Sequence, residues 1–169
     1  HATIRRQRQM CIRDRSEDRL KAIGSAGASS GSLAMFHVVG STPEAPDLET
    51  ACGGRVPTDR HVITAADLRT ARDQLTTSTN AKLGAISLGT PHYSVPEFAR
   101  LIELLGDRRI HPDIHAYVNT GRSVAHELDL RGWSTRLADA GVQLVTDTCT
   151  YITPVMADIH GTAMTDSAK

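Results

Sequence analysis

The chain has 169 residues, enough for a real hydrophobic core, and a balance of 40% apolar to 22% charged residues suits a globular protein and excludes general disorder. Lys plus Arg equals Asp plus Glu at 19 each, which argues against a global basic field for nucleic acid and against an acidic one for a basic partner. No apolar run approaches the roughly 20 residues that span a bilayer, so neither nucleic acid nor a membrane is expected as a partner.

The charge is placed unevenly. Residues 1–15 hold Arg5, Arg6, Arg8, Arg13 and Arg15 against the single acid Asp14, and the rest of the chain carries 14 basic and 18 acidic residues. Within "QMCIRDR", residues 10–14, "MCIRD", match one reading frame of a transposon end used to prepare sequencing libraries, and Arg15 fits the codon that follows. Residues 1–15 are therefore expected to be a non-native scar, outside any fold argument, with Cys11 carrying no chemistry. The alternative is a basic, solvated N-terminal arm. Cys11, Cys52 and Cys149 are odd in number, widely spaced and without a C-x-x-C pair, a usage that fits a reducing compartment and a cytoplasmic protein.

From Ser16 the pattern alternates between helical and strand-like periods. "SEDRLKAIGSAGASSG" predicts a helix capped by Ser16, with acids in its first turn. "SLAMFHVVG" is a short apolar run, expected as a strand covered on both faces, and "STPEAPDLETACGGRVPTD" as loop with one helical turn at Leu48 to Ala51. "HVI" reads as a brief strand. "TAADLRTARDQLTT" reads as a helix with Thr64 as N-cap, Asp67 three residues on, and Ala65, Leu68, Ala71 and Leu75 along one face. "AISL" predicts a strand and "GTPHYS" the turn after it. "SVPEFARLIELLGD" predicts a helix with a Ser94/Glu97 capping box, Pro96 in the first turn and Gly106 past the end. "IHAYV" is a strand, "NTGRS" its turn, "VAHELDLRGWSTRLADAG" a helical stretch broken near Gly132 and closing at Gly141, and "VQLVT" the last strand. Strands alternating with helices imply a layered α/β/α domain with a mainly parallel sheet, over residues 16–169.

In such sheets ligands bind beyond the carboxyl ends of the strands. The segments after the four best strands, "GSTPE", "GTPHYS", "NTGRS" and "DTCTY", each pair small and hydroxyl residues with one stronger group: Glu44, His92, Arg122 and Cys149. A carboxylate, an imidazole, a guanidinium and a thiol on one rim make a candidate site; the competing reading is that the small residues serve only as helix caps and turns. His37, inside an apolar run, is either a hydrogen-bonded core residue or a substrate contact. Ser30, Thr42 and Ser94 are the hydroxyl candidates. One thiol cannot hold a metal alone, because iron or zinc needs three or four protein ligands.

The stretches "SSGSLAMFHVVGSTPEAPDLETA" (29–51), "LGTPHYSVPEF" (88–98), "VTDTCTYITP" (145–154) and "MTDSAK" (164–169) together resemble the large-subunit region of the aconitase X family, iron-dependent dehydratases with an aconitase-like fold. The resemblance runs almost continuously from residue 16 to 169 in the family's order. It implies a hydro-lyase acting on a small hydroxy acid, and a chain that is only part of its catalytic domain. The N-terminal half and a small swivelling domain or subunit would be the missing partners. It implies an iron cofactor, either mononuclear iron or an iron–sulfur cluster, with Cys149 of the D-T-C element as one ligand. Gly89, Thr90, Pro91 and His92 stand where archaeal relatives that dehydrate a phosphorylated mevalonate often read G-C-P-H, which favours the bacterial type acting on cis-3-hydroxy-L-proline. On this reading Arg122 or Lys169 holds the substrate carboxylate, and Glu44 or His92 serves as or supports the base. Phosphomevalonate dehydration and a non-catalytic module binding a small acid are the alternatives.

Overall fold

The computed structural model describes residues 17–78, 82–158 and 160–168. The expected scar at 1–15, the cap residue Ser16 and the candidate Lys169 lie outside them. The chain divides after Thr76 into two compact units, each described by itself.

In the first unit, helix α1 (Glu17–Gly31) carries Glu17 and Asp18 in its first turn, where carboxylates complement the helix dipole. The apolar run that follows is not a strand. Residues 32–39 form no ladder, and Leu33 and Phe36 lie instead against the small-residue face of α1. A Cβ on Gly24 would stand 3.2 Å from the Phe36 ring, and one on Gly27 3.0 Å from the Leu33 side chain. The glycines open room for two apolar side chains, so the segment buries surface by docking on a helix rather than by pairing. It ends in a turn, the Val38 carbonyl accepting from the N–H groups of Ser41 and Thr42 at 2.9 Å each. Val38, Ala45, Ala51 and Cys52 are buried there. Helix α2 (Leu48–Ala51) begins at Asp47, whose carboxylate accepts from Thr50 N–H and is held below its ordinary value by that bond. "HVI" is not a strand either; residues 61–63 are exposed and unpaired, for want of a neighbouring strand among the described residues of this unit. Helix α3 (Ala65–Leu75) has the expected capping box between Thr64 and Asp67. Its apolar stripe exists but is bare, with Leu68 64% and Leu75 63% exposed.

The second unit is a four-stranded, wholly parallel sheet in the order β3-β2-β1-β4. Its elements are β1 (Leu83–Tyr93), α4 (Val95–Leu105), β2 (His115–Thr120), α5 (Arg122–Leu130), α6 (Trp133–Asp139), β3 (Val142–Thr146) and β4 (Thr162–Thr165). The Ser94/Glu97 capping box starts α4 as expected, and Gly132, in a left-handed conformation at φ 69, breaks the helical stretch into α5 and α6. Two features differ from expectation. Strand β1 runs through "GTPHY" instead of turning at Gly89, and "TAMT" adds a fourth strand beside it.

Strand alternation divides the sheet into two faces. Ile86, Leu88, Ala116, Val118, Val142 and Leu144 point toward α4, α5 and α6, whose Phe98, Ile102, Leu128 and Leu137 complete the core. Phe98, Leu128 and Leu137 are fully buried, each adding roughly 1.5–3 kcal/mol from burial. All three helices therefore share one face. Ser87, Tyr117, Asn119 and Val145 point to the other face and are buried as well. That face is crossed by the irregular segment 147–158 on the way from β3 at one edge to β4 at the other. Its passage is marked by Ser87 bonded to Thr150 at 2.7 Å and by Ala157 N–H donating to the Tyr117 hydroxyl at 3.0 Å. The fold thus sends the connection after β1 to one face and the connection after β3 to the other. The carboxyl rim between them is where an α/β sheet opens a crevice.

Candidate active site

The rim is shaped first by Gly89. At φ +81 it occupies the left-handed region, and a Cβ there would stand 2.3 Å from the Asn119 carbonyl oxygen, so only glycine lets β1 approach β2 this closely. Beyond Leu88 the ladder slips, regaining register only where Tyr93 faces Thr120. Residues 89–92 bulge out of the ladder at the strand ends, which places the Thr90 and His92 side chains at the rim.

Asn119, near the end of β2, is fully buried. Its Nδ2 donates to the Leu88 carbonyl at 3.0 Å and lies 3.4 Å from both the Thr90 and Thr150 hydroxyl oxygens. Thr90 Oγ1 is in turn 3.8 Å from the Cys149 sulfur, within hydrogen-bond reach for sulfur. One amide thereby joins the ends of β1, β2 and the segment after β3. The Leu88 carbonyl can only accept, so it fixes the donor end of the amide; the other end, Oδ1, has no hydrogen-bond partner. Cys149 is a free, part-buried thiol, and its carbonyl accepts from Ile152 and Thr153 N–H groups at 3.1 and 3.0 Å, closing a turn around it.

Beside the thiol, His92 Nε2 stands 3.0 Å from the Thr148 carbonyl. A carbonyl accepts, so the proton sits on Nε2, and any base role of this imidazole falls to Nδ1. Asp147 links β3 to α5. It lies at φ 59, its N–H donates to the Thr120 carbonyl at 2.9 Å, and its carboxylate accepts from both the backbone N–H and the Nε of Arg122. The N-cap of α5 is Gly121, which offers no side-chain acceptor, so Asp147 caps this helix from another strand. The Arg122 backbone N–H above all, then its guanidinium, holds the Asp147 carboxyl below its ordinary value. The Arg122 side chain stays 85% exposed, its Nε edge spent on Asp147 and its outer edge turned to solvent. At the β4 side the Tyr93 hydroxyl donates to Asp166 at 2.6 Å, and burial followed by that bond pushes the phenol above its ordinary value.

Of the residues singled out by sequence, His92, Arg122 and Cys149 come together on this rim. Ser94 is beside them, but its hydroxyl caps α4 by accepting from Glu97 N–H at 3.3 Å. Glu44, Thr42, His37 and Ser30 belong to the first unit, so the rim described here does not include them. Glu44 is exposed, Thr42 Oγ1 accepts from Val38 N–H at 3.2 Å, Ser30 donates to the Ala26 carbonyl at 2.7 Å, and His37 Nδ1 is buried with no partner. Sequence reasoning missed Asn119, Thr90 and Thr150. Their signal was a polar residue inside or just past an apolar strand, read as capping or turn chemistry.

Among the described residues no group of three or more His, Cys, Asp or Glu could hold a metal ion. This rim offers one soft donor, the Cys149 sulfur. That suits one corner of an iron centre and not a complete donor set.

Comparison with known proteins finds matches along most of the chain. The aconitase X third domain matches residues 83–169, which is the parallel-sheet unit, and the aconitase X second domain matches residues 4–73. The chain is 39% identical over 159 residues to the cis-3-hydroxy-L-proline dehydratase of Pseudomonas aeruginosa, covering 93% of this chain and 27% of that one. It is 37% identical to the protein of the same name from Hypocrea jecorina over 91% of this chain and 26% of that one. It is 34% identical to the phosphomevalonate dehydratase large subunit of Methanothermobacter thermautotrophicus over 91% of this chain and 37% of that one. The crystal structure of holo-form aconitase X from Thermococcus kodakaraensis superposes with a TM-score of 0.79 at 22% identity, covering 96% of this chain and 40% of that one, a likeness of fold. The chain thus spans about a quarter to two fifths of the length of these relatives. It belongs to the aconitase X family.

Proposed function

We propose that this chain is part of an iron-dependent hydro-lyase that removes water from a small hydroxy acid, cis-3-hydroxy-L-proline, in the reducing cytoplasm. The observation that supports the reading is that His92 near the end of β1, Arg122 directly after β2 and Cys149 after β3 all stand at the carboxyl end of one parallel sheet. Elimination of a β-hydroxyl from a carboxylic acid needs an electrophile at the leaving oxygen, a cation on the carboxylate and a base at the α-proton. Cys149 would hold iron, mononuclear or in a cluster, together with donors from outside the described residues; such a metal would supply Lewis acidity for the leaving hydroxyl. Arg122, oriented by Asp147, turns the outer edge of its fork toward the carboxylate, a planar match that a lysine would not give. Lys169 is the second candidate for that role. His92 accepts the α-proton on Nδ1. The remaining ligands and the closing surface come from the N-terminal half and the small swivelling domain or subunit.

The test uses the full-length protein carrying this chain. It should bind iron and dehydrate cis-3-hydroxy-L-proline, and Cys149→Ala should lose both, whereas the 169-residue chain alone should show no turnover. Iron retained in full by the Cys149→Ala variant, or a preference for phosphorylated mevalonate, would overturn the assignment.

A further inference from the structure

We propose that Asn119 is a positioning residue whose side-chain amide aims the Thr90 hydroxyl at the Cys149 sulfur and so fixes the direction from which that sulfur meets a soft metal. The inference rests on the reading of Cys149 as a metal donor but concerns a different property, the orientation of the thiol before any metal arrives.

Three observations carry it. First, the amide cannot be turned around: the Leu88 carbonyl at 3.0 Å requires the Nδ2 end, so the remaining Nδ2 proton points to the two hydroxyls, each at 3.4 Å. Second, those hydroxyls flank the thiol. Thr90 Oγ1 lies 3.8 Å from the sulfur, and Thr150, the next residue after Cys149, has its oxygen tied to Ser87 at 2.7 Å. A Thr90 oxygen that accepts from Asn119 keeps its own proton to donate, and the sulfur is the acceptor within reach. Third, Asn119 is 0% exposed and its Oδ1 is unpartnered, a costly arrangement in a fold unless the rim is built to receive a group from outside. A chain stabilised for its own sake would place an apolar residue at this position, on a face where Tyr117 and Val145 are already buried.

A thiol without this hold distributes over the staggered side-chain wells, so losing the hydroxyl costs about threefold in the population aimed at the rim. The probe is p-chloromercuribenzoate, which bonds a single thiol as a soft metal does and is followed by absorbance. The chain is prepared with Cys11→Ser and Cys52→Ser, so that only Cys149 reacts. Thr90→Val and Asn119→Ala should each slow mercuration about threefold at fixed pH. Their combination should slow it no further, because both act through one hydrogen bond, while Thr90→Ser should keep the parent rate. A parent-like rate for Thr90→Val, additive effects in the double variant, or failure of serine to rescue would each overturn the proposal. If Asn119→Ala does not fold, the Thr90→Val and Thr90→Ser pair decides the matter alone. The outcome is separable from the iron reading: the rates can behave as stated in a protein whose metal is bound elsewhere, and iron can bind Cys149 in a protein whose rates do not.

Discussion

Replacing Gly89 by alanine tests the architecture of the rim most sharply, because the structure separates two costs that usually come together. The first is conformational: at φ +81 an L-residue pays roughly 1–2 kcal/mol. The second is contact, since the new Cβ would stand 2.3 Å from the Asn119 carbonyl oxygen and 2.9 Å from its nitrogen, both backbone atoms that cannot swing away. Relief requires β1 to lift off β2 where the Asn119 amide meets the Leu88 carbonyl, sacrificing a buried hydrogen bond of about 0.5–1.5 kcal/mol. The total is about 1.5–3.5 kcal/mol. Gly132→Ala supplies the control within the same unit, for Gly132 sits at φ +69 and a Cβ there would have no neighbour within 4 Å, so it should cost only the conformational part. Urea unfolding of the two variants reads the difference directly, with Gly89→Ala expected to lose about 0.5–1.5 kcal/mol more than Gly132→Ala. Equal losses within about 0.3 kcal/mol would refute the close approach of β1 and β2, and with it the placement of Thr90 beside Cys149.

Other consequences follow from the same geometry. Asp147→Asn should keep the left-handed backbone and the cap on α5, whereas Asp147→Ala should lose both and unfold at lower urea. Because the Asp147 carboxyl is depressed in the folded chain, its ionic contribution is present above the ordinary aspartate value near 3.9 and is lost as pH falls through the lower folded value. The stability difference between parent and Asp147→Asn should therefore shrink in that acid range, and a difference constant down to about pH 2.5 would contradict the Arg122 pairing. In a spectrophotometric titration Tyr93 should ionise above the ordinary tyrosine value, and Asp166→Asn should bring it down; unchanged behaviour would count against the Tyr93–Asp166 bond. Phe98→Ala should cost about 3–5 kcal/mol, while Leu68→Gln on the bare face of α3 should stay within about 0.5 kcal/mol, both measured by denaturant midpoints.

The second unit was legible where local chemistry and periodicity agree. Ser94 with Glu97, Gly132 and Gly141 marked helix boundaries through capping and left-handed turns that depend on few neighbours, and "IHAYV" and "VQLVT" were legible as short apolar-rich strands between helices. The first unit misled for a physical reason. "SLAMFHVVG" has the composition of a buried strand, but apolarity says only that a segment will be covered, not by what, and here the glycines of α1 take Leu33 and Phe36. Strand β4 was missed because "TAMT" is short, polar and mostly exposed, and pairs on one side only. Of the site, the strong groups His92, Arg122 and Cys149 could be read from their place after strands. The buried amide of Asn119 could not, since its importance lies in three partners that are 29 to 31 residues away in sequence.

The proposed chemistry depends above all on Cys149 being a metal donor at the carboxyl rim of this sheet. Anomalous scattering at the iron edge from crystals of the full-length, iron-loaded protein measures that directly. The expected result is an iron peak about 2.3 Å from the Cys149 sulfur, a metal–thiolate bond length, with the Arg122 fork facing it. An iron site with the Cys149 sulfur beyond bonding distance, or on the opposite edge of the sheet, would contradict it.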